Sequence, residues 1–530
     1  MFAHSPSLPK GSACMDCRRR KIRCDAARPI CGPCSRAERF EDCEYEGGEV
    51  SGVHKLEESI LQVRARIMNL ENPGVFPPQA SLKTPHSSSR MNMQPGSASS
   101  HRSQSRSSST SAINPQTLTL ALDAIAPYAH EIGFFLNQKR FRNACLRMRG
   151  DQEDPPVALL NSVCLWAACL SSSGSFASHE NNLLSQALTM APTILSSTHR
   201  LKIIYGIQTE VLLCQYFLYK GRLVEAHYHL SVAVSHVVLG GFSSIRSSRG
   251  SRSSRSAISI PHDRIEEGEI IIGFWTVYSL DKIWSSVLNF PSNFSAESDN
   301  VDTPWPLEME EYEGNQLPQQ LQSYNTVQRF IDDAPSDTDG FSGLAILAKS
   351  AILLDRATAV SKQWRANMTP AETTAFLKPF TKLNNRIQKF RDRLPPLSPS
   401  ASSAKPRIIL AHTIAHVAAI QLNRPFIAVN PPCHELCLAA CRSIVWIVRT
   451  GGLRDIPSIN PIIGTVWTMT VQILTQEIMR LRHVPNVAAV VADLMTGRDE
   501  IVAVASLFST DCPFMQFQLE QLGPDPNKRR

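Results

Sequence analysis

The stretch Ala13–Tyr45 reads ACMDCRRRKIRCDAARPICGPCSRAERFEDCEY, and the rest of the chain is organised around it. Six of the 14 cysteines fall here, at Cys14, Cys17, Cys24, Cys31, Cys34 and Cys43. Their spacing, C-x2-C-x6-C-x6-C-x2-C-x8-C, is one pattern used twice. A zinc ion takes four tetrahedral ligands, and thiolate sulfur suits it. Two tetrahedra need about eight bonds, which six sulfurs supply only when one sulfur from each half touches both metals. The repeat makes Cys14 and Cys31 the natural bridging pair. Cys17 and Cys24 then complete one site, Cys34 and Cys43 the other. The spacing therefore predicts a structural cluster of two zinc ions.

The rival readings leave more unexplained. A disulfide framework needs an oxidising compartment. Residues Met1–Pro6 lack the charged and apolar regions of a secretion signal, so an intracellular chain with reduced thiols is expected. One zinc on four cysteines would leave two thiols without a role, and a catalytic zinc would need a water position that a fully thiolate-ligated pair lacks. Five of the six residues Arg18–Arg23 are cationic, on a segment expected to start a short helix after Cys17. Six thiolates and two Zn²⁺ sum to about −2, so these cations stabilise the cluster. They also suit a major groove, where Arg or Lys reads guanine O6 and N7. A bare localisation signal would account for the charge but not for the cysteines.

This stretch resembles the fungal binuclear zinc cluster DNA-binding domain across all six cysteines, the run Arg18–Arg23 and the loop Cys24-Asp25…Arg28-Pro29…Cys31. The resemblance implies double-stranded DNA as partner, with Arg20 and Lys21 contacting a CGG triplet. Arg18 and Arg23 are then left to touch phosphate, which positions a module without specifying sequence. It implies a nuclear transcription regulator of RNA polymerase II genes, with the transcription machinery a candidate partner.

The whole chain is compatible with this. Net charge +7 and pI ≈ 8.7 are modestly basic. The excess is local, with nine Lys/Arg against five Asp/Glu between Lys10 and Cys43. No apolar run reaches the ~18–20 residues of a membrane span, so no membrane partner is expected. H-E-x-x-H, G-x-S-x-G, P-loop and G-x-G-x-x-G motifs are absent in suitable context, so no enzyme is expected. An enzyme or ligand-binding protein tethered by its zinc module, and a zinc-held protein-interaction module, are the alternatives.

Beyond the module (13–45), residues 46–72 form a linker and a coiled coil. Leu56, Ile60, Val63, Ile67 and Leu70 recur at spacings 4-3-4-3 before Asn72-Pro73-Gly74. Ile at a with Leu at two of the three d positions favours a parallel dimer, so a homodimer is expected. Residues 73–113 are Ser- and Pro-rich; from Ser81 to Ala112 there are four Lys/Arg and no Asp/Glu. That composition reads as a disordered linker. Residues 114–530 carry apolar spacings of three and four and read as a large all-helical regulatory domain. The fold class is thus mostly α. About Asn114–Pro306 resembles the middle homology region of fungal zinc cluster regulators, an all-helical domain.

Within that domain, helices are expected at Thr117–Ala126, Val157–Ser171, Asn181–Met190, Arg200–Tyr219, Leu223–Leu239 and Ile270–Leu288. Others are expected at Ser342–Asn367, Thr369–Arg393, Ile408–Asn423, Cys433–Thr450, Ile462–Arg482 and Val487–Leu507. Trp275 and Tyr278 are expected in the core, and Cys433, Cys437 and Cys441 as buried thiols on one helix face. The Ser/Arg-rich stretch Phe242–Ser259 reads as a solvated insertion. Glu308–Glu313 and Asp332–Asp339 read as solvated acidic loops, with an activation segment as the sharper alternative.

Overall fold

Helix is the one regular element among the described residues, where a lone bridge between Ser247 and Ser323 is the only β-type pairing. The computed structural model describes residues 13–27, 30–37, 43, 115–149, 154–171, 177–248, 261–294, 300–314, 322–334, 340–365, 367–397 and 405–522. The expected coiled coil, the expected disordered linker and the stretch 249–260 lie outside them. The chain divides into two compact units, Met1–Ser107 and Ser108–Arg530.

The first unit holds α1 (Met15–Arg19) and α2 (Gly32–Arg36), each opening at the first cysteine of a C-x2-C pair. The second begins with α3 (Pro115–Ile125), α4 (Gln138–Leu146), α5 (Val157–Leu170) and α6 (Glu180–Met190). It continues with α7 (Lys202–Tyr219), α8 (Leu223–Gly240), α9 (Arg264–Val287), α10 (Met309–Glu313), α11 (Thr326–Ile331) and α12 (Gly343–Ser361). It closes with α13 (Pro370–Asp392), α14 (Lys405–Asn423), α15 (Pro431–Thr450), α16 (Ile462–Leu481), α17 (Ala488–Ser509) and α18 (Pro513–Glu520).

The second unit is packed around α9, in which every residue from Gly268 to Ser286 is buried. A helix buried all round must be apolar or find partners for its polar groups. Both hold here. The Asp263 carboxylate caps the helix by accepting the Glu266 N–H at 2.8 Å. Glu266 takes both arms of Arg200 at 2.5 and 2.7 Å, and Asp281 accepts the Asn293 backbone N–H at 2.9 Å. Trp275 and Tyr278 are core residues, 0% and 1% exposed. The Trp275 indole N–H donates to the Pro304 carbonyl at 2.7 Å, and its ring stacks on Trp305 at 4.5 Å. Gly268 lets α10 approach, since a Cβ there would lie 2.5 Å from the Tyr312 ring.

α7 and α8 run antiparallel. Glu210 pairs with His229 at 2.6 Å, and a Cβ on Gly206, one turn earlier, would meet His236 one turn and more later. The chain reverses at Gly221 (φ +75°) and α8 stops at Gly241 (φ +69°), conformations that glycine adopts without a Cβ penalty.

Several expectations need correction. Phe242–Ser248 is packed rather than solvated: Phe242 is fully buried, and Arg246 holds Glu267 through two contacts of 2.7 Å. Glu308–Glu313 is a capped helix, because Glu308 and Glu311 form a capping box and Tyr312 is buried under it. Asp332 and Asp333 are tied to α13 through Lys382, Arg386 and Lys389. α12 ends at Ser361, six residues before the expected Asn367, where Trp364 turns to pack on Phe376 and Phe426. The polar α4 and the short α10, α11 and α18 were not expected. Cys433, Cys437 and Cys441 are buried on α15, where burial pushes the Cys437 thiol up to about 12 and leaves it unreactive.

Candidate metal centre

The metal centre is built by two short helices whose first turns carry the thiols inward. Cys14 is the N-cap of α1, and its sulfur accepts the Cys17 N–H at 3.4 Å. Cys31 is the N-cap of α2, where Pro33 lies in the first turn and its missing N–H costs nothing. Helical spacing then puts Cys17 and Cys34 on the same side as their caps. All six cysteines are buried.

The sulfurs converge in two groups of four, Cys14, Cys17, Cys24, Cys31 and Cys14, Cys31, Cys34, Cys43, each within 4.8 Å. The groups share Cys14 and Cys31. Sulfur–sulfur separations are 3.7 Å for Cys14–Cys31, 3.7 Å for Cys14–Cys34 and 3.6 Å for Cys17–Cys31. A tetrahedron with metal–sulfur bonds of about 2.3 Å has edges of about 3.8 Å, so this donor set fits zinc.

Electrostatics favours a cation at the same place. Burial pushes the Cys34 thiol up to about 12, and burial drives Cys31 up as well. Burial acts to raise Cys14 too, but the Cys17 N–H and the neighbouring thiols outweigh it and hold it at about 7. Thiols this crowded ionise together only when a cation offsets their charge. Backbone N–H groups also point at sulfur, from Ala26 to Cys24 at 3.4 Å and from Cys31 to Cys43 at 3.2 Å.

Two carboxylates that cysteine spacing does not announce support the cluster. Asp16 is buried between Cys14 and Cys17; its oxygens take Arg19 at 2.8 Å and Arg20 at 3.3 Å. The Arg19 contact, followed by Arg20, holds the Asp16 carboxyl below its ordinary range. Asp25 joins the halves by accepting the Gly32 N–H at 3.0 Å, and a Cβ on residue 32 would lie 2.4 Å from that carboxylate. The signal for Asp16 was an acid between two ligand cysteines, three and four residues ahead of Arg19 and Arg20.

The basic run is arranged differently from the expected helix after Cys17. α1 starts earlier, because Cys14 caps it, and ends at Arg19. Arg18 lies on the last turn, Arg20 is the C-cap, and Lys21 has φ +53°. Lys21 N–H donates to the Arg18 carbonyl at 3.2 Å and Ile22 N–H to the Cys17 carbonyl at 3.1 Å. These two bonds form a Schellman turn with lysine where glycine is usual. Arg18, Arg20, Lys21 and Arg23 are all exposed. Leu56, Ile60, Val63, Ile67 and Leu70 lie outside the described residues.

The family model of the fungal Zn(2)-Cys(6) binuclear cluster domain matches residues 12–48. That of the fungal specific transcription factor domain matches residues 128–367. Neither the curated proteins nor the solved structures gave a match. No helix of the described residues is long and apolar enough to cross a membrane.

Proposed function

We propose, on the premise that this chain belongs to the fungal binuclear zinc cluster transcription factors, that it reads CGG triplets and regulates RNA polymerase II genes in the nucleus. The zinc cluster binds DNA; what this proposal adds is the triplet and the residues that read it. The observation that carries it is the placing of an exposed cationic turn against a core made of six sulfurs. Cys14 and Cys31, which belong to both groups of four sulfurs, would be shared by the two zinc ions, and the ions would supply structure rather than reaction chemistry. Asp16 aims Arg20, and the Schellman turn projects Lys21 off the helix end, so both reach guanine edges. Arg18 and Arg23 touch phosphate.

The strained lysine separates a base contact from a structural role. A non-glycine residue in the left-handed region costs on the order of 1–3 kcal/mol. Lys21→Gly is therefore expected to keep or improve the module's stability while losing about 1–3 kcal/mol of discrimination for CGG over scrambled duplex. Arg23→Ala is expected to weaken every duplex alike and to shallow the salt slope by about one unit. Fluorescence anisotropy across a salt series reads both. Undiminished discrimination in Lys21→Gly would remove Lys21 from base reading.

The seam Leu56, Ile60, Val63, Ile67, Leu70 is proposed to pair two copies, each reading one triplet. Two linked contacts raise the effective concentration of the second to around millimolar. Ile60→Asp with Ile67→Asp should leave binding to a single CGG site near its starting value and abolish the gain from a two-site probe. Equal affinity of this variant and the parent for the two-site probe would mean that the seam packs within its own chain. Contacts with the transcription machinery belong to the same proposal.

A further inference from the structure

α8 carries an apolar stripe that the described residues leave uncovered. Val224, Tyr228, Val232, Ser235 and Leu239 recur at spacings 4-4-3-4, which places them on one side of the helix over about 22 Å. The opposite side is the one that packs, through Ala226, Leu230, Ala233 and Val237. A helix packed on one side should turn polar groups outward. α8 does not: Val224, Tyr228 and Leu239 are 79%, 62% and 54% exposed, and Val238 beside them is 60% exposed. Their exposed parts amount to roughly 450 Å² per copy, within the range of apolar patches that are often functional.

The chemistry of the stripe narrows what can cover it. From Leu223 to Gly240 the helix has no Lys or Arg, and its one acid, Glu225, is held by Arg222 at 2.7 Å. Its histidines are engaged elsewhere: His229 with Glu210 at 2.6 Å, His227 against the Phe290 ring at 4.6 Å, and His236 in the core. Nucleic acid and anionic membrane surfaces are bound through lysine and arginine, which this face lacks. An uncharged face meets an identical one without like-charge repulsion.

The order of the side chains points the same way, because their sizes are self-complementary. Set antiparallel about a two-fold axis near Val232, two α8 helices bring Val224 against Leu239 of the second copy and Tyr228 against its Ser235. The largest side chain of the stripe then faces the smallest. Ser235 spends its own proton on the Ser231 carbonyl at 2.8 Å, which leaves its oxygen to accept from a tyrosine hydroxyl. A parallel pairing would set tyrosine against tyrosine and serine against serine, crowding one level and leaving a gap at the other.

We infer that this face of α8 is an interface between two copies of the chain, with their α8 helices antiparallel. The pair buries about 900 Å² in total, less than the roughly 1,200–2,000 Å² of stable complexes, so the contact is weak and reversible by itself. It stands apart from the seam proposed at Leu56–Leu70, although a seam that pairs copies would raise the effective concentration to around millimolar and close it.

The test uses the zinc-loaded full chain carrying Ile60→Asp and Ile67→Asp, so that the seam pairs no copies and its failure does not enter the result. Sedimentation equilibrium up to submillimolar concentration is expected to show a monomer–dimer equilibrium. Val224→Glu alone and Leu239→Lys alone should each weaken it at least tenfold. Both positions are more than half exposed, so neither charge disturbs the fold, which circular dichroism checks. The two changes in one chain should restore association to within threefold, because opposite charges then face each other across the axis. The positions lie about 22 Å apart along one helix, so this recovery arises only between copies. Absence of self-association before these changes would overturn the inference and leave the stripe to a helix of another protein. Association that both single changes leave unaltered would place the contact elsewhere and overturn it as well. Weakening by each single change without recovery in the pair would overturn the antiparallel arrangement.

Discussion

Stripping zinc from the full chain with a strong chelator is expected to abolish binding to CGG duplex and to unfold the cysteine module, while the helical circular dichroism signal stays near its starting value. The separation follows from how each unit is held together. Among the described residues, the buried cluster of the module consists of its six cysteines, with Ala13 and Ile30 packed on it. One alanine and one isoleucine cannot offset the entropy of ordering that chain, whereas structural zinc supplies roughly 10–16 kcal/mol of apparent binding energy in small domains. The helical unit has a continuous core of its own. Single substitutions should reveal the bridging. Cys14→Ser or Cys31→Ser should lose both metals, because each lies in both groups of four, and Cys17→Ser should chiefly lose one. Zinc content per folded chain reads the difference. One zinc per chain in well-folded parent protein would end the bridged arrangement.

Trp275→Ala is expected to cost the helical unit about 3–5 kcal/mol in urea unfolding of the full chain. The ring is fully buried at the centre of α9 and stacked on Trp305. Its removal leaves a cavity and strips the Pro304 carbonyl of its donor, and a buried acceptor left unpaired itself costs roughly 1–3 kcal/mol. Trp275→Phe should cost less, since it keeps most of the packing and loses the N–H. A loss below about 1 kcal/mol for Trp275→Ala would mean that α9 is not the packing centre of this unit.

The cluster was legible in the sequence because metal ligation is local arithmetic. C-x2-C puts two thiols on one helical turn, and a six-cysteine repeat leaves few ways to complete two tetrahedra. Long amphipathic helices were legible for a related reason. Thr369 was readable as a cap before Pro370, and it does cap α13 in a box with Glu372. What stayed hidden depends on distant partners. α4 buries only Phe141 and Cys145, too few for a periodic signal. Arg246 in a Ser/Arg-rich stretch looks solvated until α9 brings Glu267 to it. The left-handed Lys21 breaks the preference for glycine at that turn, and no propensity announces it. The contact at Glu131 is the extreme case, since Asn460, which donates to its carbonyl, lies 329 residues away along the chain.

The central claim, that a six-thiolate cluster presents a cationic turn to CGG, is tested most directly by fluorescence anisotropy. The zinc-loaded full chain is titrated into a labelled CGG duplex and a scrambled duplex of the same length, at one salt concentration. A preference for CGG of about 1–3 kcal/mol, on the order of ten- to hundredfold in affinity, is predicted; equal affinity for the two duplexes would contradict it.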